Sequence, residues 1–124
     1  MNIQAFNAAF NESRNGANAF YSHWYDPRFE YSDGVKDCAE AGCYWLIDML
    51  ATELPAVMIE TGATQGIVSL IVKDNKGHVE LTLEDDAPPV WKHELAYTDM
   101  PDGKFDFMLA NESVRFALIL ITEH

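Results

Sequence analysis

The 124-residue chain is short of basic side chains: eight Lys and Arg stand against twenty Asp and Glu, for a formal charge of −12. Both halves of the chain share the excess, so no acidic tail accounts for it and the folded surface itself is negative. Such a surface repels phosphate backbones and anionic lipids. That argues against direct nucleic-acid or membrane binding and favours, as partner, a basic surface on a host protein or protein complex. Cysteine is also scarce. Cys38 and Cys43, the only two, lie five residues apart in a helical segment, which puts their Cα atoms beyond the ~7 Å reach of a disulfide. They read as reduced core thiols of a cytoplasmic protein. No second CxxC or HxxxH pattern completes a zinc set with them, so neither metal nor cofactor is expected. An apolar run of about 18 residues is missing, which excludes a spanning helix, and the start MNIQAFNAAF has no basic–apolar leader pattern. GxSxG, P-loop, GxGxxG, HExxH and EF-hand patterns are all absent.

What is present is a globular composition, 48% hydrophobic and 12% aromatic, in a length that suits one domain over residues 1–124. Ile3, Phe6 and Phe10 recur at helical spacing. The aromatic segment 20-FYSHWYDPRFEY-31 is expected to form a short helical turn before Pro27 and then an irregular connection. From Ser32, Val35, Cys38, Ala39, Gly42, Leu46, Met49 and Leu50 trace one apolar stripe, predicting a long central helix capped by Ser32 or Asp33 and stopped by Pro55. The period then changes to two. Strands are predicted over 66–73, 78–84, 90–97, 105–109 and 114–121, the first two joined by 74-DNKG-77 with Gly77 in the left-handed position. Helices followed by hairpin-connected strands predict an α+β domain: N-terminal helices and one long central helix on an antiparallel sheet of four to five strands.

Chemistry-bearing candidates are few. Asp37, Glu40, Tyr44 and Asp48 lie on the helix face opposite the apolar stripe, with Lys36 placed to pair with Glu40. Glu84, Asp85 and Asp86 form a second acidic group beside Pro88-Pro89, without the alternating oxygen ligands of a calcium loop. Tyr21, Trp24 and Tyr25 are aromatic candidates for a partner contact. A catalytic alternative would use Tyr44 with Asp48, or Cys43 as nucleophile with His23 as base.

The order FYSHW, YSDGVKDCAEAGCYWLID, VSLIVKDNKGHVELTLEDD and AYTDMP resembles an uncharacterised family of short bacterial, plasmid and phage proteins. That family shows a (T/S)DGVxxxAE…AGxYWL(I/L)D block and a later TDFP-like turn. Ser32, Asp33, Gly34, Val35, Ala39, Glu40, Tyr44, Trp45, Leu46 and Asp48 fit the block, whereas the end, ILITEH, departs from the family's Leu-Pro-Ser-Glu-Tyr-like tail. The resemblance implies a mobile-element setting rather than a reaction. The expectation is a small acidic binding protein, an inhibitor occupying a basic nucleic-acid-binding groove of a host defence complex. A homo-oligomeric accessory protein, possible as a homodimer, is the third reading, because the nearly all-apolar last strand wants cover.

Overall fold

The computed structural model describes residues 1–124. Helix α1 (Ile3–Asn11) starts where the Asn2 side chain accepts the amide of Ala5. Strands β1 (Phe20–Ser22) and β2 (Phe29–Ser32) follow, then α2 (Asp33–Glu40) and α3 (Tyr44–Thr61). The remaining elements are β3 (Gln65–Lys73), β4 (Lys76–Thr82), β5 (Trp91–Leu95), β6 (Gly103–Asn111), β7 (Phe116–Leu120) and a 3₁₀ turn at Ile121–Glu123. One seven-stranded sheet runs in the order β1-β2-β7-β6-β3-β4-β5. All neighbours are antiparallel except β2 and β7, which pair in parallel from Phe29↔Phe116 to Tyr31↔Leu118.

The α+β class and the five later strands agree with the sequence pattern; four details of the chain path do not, and the parallel β2–β7 pair makes the sheet mixed rather than antiparallel as expected. The segment 20–31 makes no helical turn. Asp26-Pro27 instead turns the chain back, with the Phe29 amide on the Asp26 carbonyl and the His23 amide on the Phe29 carbonyl, so β1 and β2 form a hairpin that raises the strand count to seven. The long helix is two helices, because Gly42 takes φ +129° and interrupts the spiral between Glu40 and Tyr44. Pro55 does not stop α3, which continues to Gly62 in a left-handed C-cap. Pro55 forfeits one backbone bond, but Leu54, Pro55 and Met58 are buried, and burial of such side chains is worth about 1.5–3 kcal/mol each. The β3–β4 turn also differs. Asp74 and Asn75, not Gly77, carry the positive φ of the two-residue turn. Gly77 is a strand residue whose missing Cβ makes room for Leu95 on β5.

All three helices cover the same side of the sheet. Val68, Leu70 and Val72 of β3, Val79 and Leu81 of β4, Phe105, Phe107 and Leu109 of β6, and Leu118 and Leu120 of β7 point to that side. They join Leu46, Ile47, Leu50, Ala51, Leu54 and Met58 of α3 in a single buried cluster. Helix α1 adds Phe6 and Phe10, which meet Phe105 edge-on at 5.1 and 5.3 Å between ring centroids. The alternate strand residues face the other way, and no layer covers them.

The start of α2 is closed by the far end of the chain. Ser32 Oγ accepts the Val35 amide and donates to Glu123 Oε1. Glu123 is buried and also accepts from the amides of Gly34 (3.2 Å) and Leu120 (2.9 Å). Any Cβ on Gly34 would fall 2.6 Å from Glu123 Cδ, so the glycine of the Ser-Asp-Gly sequence keeps a seat for this carboxylate. Gly34→Ala is therefore expected to destabilise the fold by about 2 kcal/mol or more in urea unfolding. Glu123→Gln, which removes one acceptor, is expected to cost about 1–3 kcal/mol in the same measurement.

Candidate functional site

The loop after β1 displays two aromatic rings while its base is pinned. His23 is buried, and the amides of Tyr25 and Asp26 both donate to its Nδ1 at 3.1 and 3.3 Å. Nε2 is thereby the donating nitrogen, and it reaches Asp48 Oδ1 on α3 at 2.7 Å. The Trp24 indole Nε1 donates to the same oxygen at 3.3 Å. Below the loop, Arg28 forks onto Asp26 at 2.9 and 3.1 Å, and this hydrogen-bonded guanidinium holds the Asp26 carboxyl below its ordinary range. The outcome is a fixed platform: Trp24 is 80% exposed and Tyr25 68% exposed, with ring centroids 5.7 Å apart.

Beside it lies the outward side of α2 and the start of α3. Lys36 sits 4.9 Å above the Tyr21 ring and pairs with Glu40 at 2.9 Å, a hydrogen bond that raises the lysine's pKa. Partial burial, then the Glu40 carboxylate, push the Tyr44 phenol upward. Arg14, from the loop after α1, reaches Glu12 at 2.6 Å and Asp37 at 3.4 Å. Tyr21, Trp24, Tyr25, Asp37, Glu40, Tyr44 and Asp48 thus form one helix-side surface. They converge despite the break at Gly42, because the hairpin, not helix periodicity, carries the aromatic members next to α3.

Glu84, Asp85 and Asp86 are elsewhere. Their loop walls a groove of about 510 Å³ on the uncovered sheet face, with Ile67, Met108, Lys104 and Asp106 among its other sides. Asp106 accepts from Ser69 Oγ at 2.6 Å across the β3–β6 pair. This groove was not singled out from the sequence. Its signal is the alternate set of strand residues, Ile67, Ser69, Asp106 and Met108, which strand registry alone could align. His78 bridges toward Glu94 and Glu80 on this same face, and His93 on β5 is exposed.

The Cys43–His23 pair of the catalytic alternative is not assembled. Cys43 is buried and its Sγ donates to the Cys38 carbonyl at 3.4 Å, not to His23. Burial pushes both thiols up to about 12, with the neighbouring Cys43 adding to the shift at Cys38. His23 has both nitrogens engaged, one by amides and one by Asp48, so the site holds no free imidazole base. No group of three His, Cys, Asp or Glu side chains is arranged to hold a metal ion.

These features define a two-layer α+β protein: helices on one side of a mixed sheet, an aromatic and acidic surface on the helix side and a bare face on the other. Residues 7–124 match a family of unknown function, DUF6876, and the chain belongs to that family. No curated protein and no solved structure matches it. No helix is long and apolar enough to cross a membrane.

Raised thiol pKa values predict inert cysteines. A disulfide reagent at about pH 8 should label neither Cys38 nor Cys43 in the native protein and both in denaturant. The same shift has a sign for stability: unfolded thiols ionise first, so the fold should lose stability as pH climbs above about 8.5 toward 12.

Proposed function

We propose that this is a small, acidic, non-catalytic binding protein whose helix-side surface docks on a basic surface of a partner protein. The observation that carries the reading is the Trp24–Tyr25 platform, held out by Asp48 and flanked by carboxylates. Tryptophan and tyrosine on rigid supports are the residues that dominate binding energy at protein interfaces. Their exposure here serves no packing within the chain. The surrounding field supplies the sign of the partner. Arg14, Arg28 and Lys36, the basic residues on this side, are already spent on Glu12, Asp37, Asp26 and Glu40. A positive surface is therefore attracted and steered toward the platform, whereas nucleic acid and anionic membrane are repelled.

The resemblance to phage and plasmid proteins extends the proposal to a setting: inhibition, in a host cytoplasm, of a defence complex of the anti-CRISPR or anti-restriction kind, by occupying a groove that normally holds nucleic acid. Immobilised protein should then capture a host protein from lysate, and added salt or competing DNA should weaken the capture. Trp24→Ala combined with Tyr25→Ala should lower the affinity for that protein at least about tenfold, since each such anchor is commonly worth more than 1 kcal/mol. Capture that ignores salt, DNA and the double substitution would overturn the proposal.

A further inference from the structure

Strand β5 is an outer edge of the sheet: β4 is its one neighbour, and the β1–β2 hairpin lies at the opposite edge. The backbone groups on its outer side have no strand to pair with, which makes such an edge a template for another chain. Its five residues run Trp91, Lys92, His93, Glu94, Leu95, an apolar residue at each end and one charge of each sign about a central histidine. Pairing with Leu81, Val79 and Gly77 puts Trp91, His93 and Leu95 on the helix side. Pairing with Glu80 and His78 puts Lys92 and Glu94 on the bare face. Trp91 and Leu95 are half-buried at the margin of the core, whereas Lys92, His93 and Glu94 are exposed. Lys92 forms no ion pair, since Glu80 beside it turns to His78, and Glu94 meets His78 through one oxygen only.

We infer that β5 pairs antiparallel with β5 of a second copy, about a two-fold axis through His93. The strand is its own complement in this one register. Lys92 lies opposite the second copy's Glu94, and Glu94 opposite its Lys92. Trp91 lies opposite Leu95 in the same reciprocal way, and the two His93 side chains face each other at the axis. Opposite charges and apolar pairs set directly across from one another are the favourable cross-strand combinations. The same residues penalise the other registers. An axis through Lys92 sets lysine against lysine, an axis through Glu94 sets glutamate against glutamate, and in-register parallel pairing does both. A lysine on an edge deters a foreign strand, but the second copy supplies the matching acid. The charges keep alternating beyond the junction: Glu80, Lys92, the second copy's Glu94 and its His78 stand in one row across four strands. On the other side, Leu81, Trp91 and the second copy's Leu95 carry the apolar layer across the junction. The pairing makes one continuous sheet with the helices of both copies on the same side. Its two Trp24–Tyr25 platforms lie at the far ends, so the inference does not rest on their role. A contact one strand wide belongs with weak, transient interfaces, below about 1,200 Å² in total.

Sedimentation of the full chain from roughly 10 μM to 1 mM tests this, at about 0.15 M salt, where the common negative charge of the copies is screened beyond about 8 Å. The expected result is a monomer–dimer equilibrium with no larger species. Lys92→Glu and Glu94→Lys each place two like-charged pairs across the axis, and each is expected to weaken dimerisation at least about tenfold. Both substitutions in one chain restore the two pairs with their signs exchanged and should restore the dimer. His93→Cys sets two thiols at a cross-strand Cα separation of about 4.5–5.5 Å and should close a disulfide-linked dimer on mild oxidation. Lys92→Cys, which faces the second copy's Glu94, should not. Cys38 and Cys43 stay out of this reaction because both are buried. A strict monomer, a single charge substitution that dimerises as well as the unaltered chain, a double substitution that does not recover, or crosslinking at Lys92→Cys in place of His93→Cys would each overturn the inference. A host protein that shields the β5 amides from hydrogen exchange, while the chain alone stays monomeric, would overturn it as well and give the edge to a foreign strand.

Discussion

The structure depends on one buried carboxylate. Glu123, next to the last residue, accepts hydrogen bonds from Ser32, Gly34 and Leu120 and sits at the positive end of the α2 dipole. A charge taken from water is tolerable only when donors surround it, and here the donors come from two distant parts of the chain. The contact clips the end of β7 to the junction of β2 and α2, beside the sheet's one parallel pairing. That pairing is three residues long and is the attachment of the whole β1–β2 hairpin to the sheet. The hairpin in turn carries His23, Trp24 and Tyr25. Removing the clip would therefore loosen the aromatic platform before it touched the β3–β6 centre.

The sheet makes the two sides of the molecule chemically different with a single device, the period-two alternation of its strands. One set of residues is apolar and is consumed by the helices. The other set is mixed, with both signs interspersed: Lys92 lies opposite Glu80, and Lys104 shares the groove with the Glu84–Asp86 loop. The helix side differs, with each cation paired locally and acids left over. Mean composition hides this difference, because both halves of the chain are equally acidic.

Much of this was legible in advance, for reasons tied to particular residues. Val79, Leu81 and Leu83 alternating with charged neighbours can only be a half-buried strand, and Phe105, Phe107 and Leu109 repeat the argument. The Val35–Cys38–Ala39 and Leu46–Leu50 stripe marks the buried side of the helices, so Cys38 and Cys43 read as core thiols, and Asp37, Tyr44 and Asp48 as outward. Three features escaped. Gly42 breaks the helix through a positive φ that the stripe does not reveal. Pro55 lies inside α3 because tertiary burial outweighs its local cost. The 20–31 segment is a hairpin because β7 is there to receive it.

The sequence by itself determined the alternation of strand faces and the acidic surface, since these follow from local period and from the chemistry of each residue. Only the tertiary structure decided which side chains share a surface. His23 finds Asp48 across 25 positions, and Ser32 finds Glu123 across 91. Lys104 comes to share a groove with the Glu84–Asp86 loop only when β3, β4 and β6 take their register. Such partners are chosen by packing between distant segments, where the energy of burial, not local propensity, selects one arrangement among many.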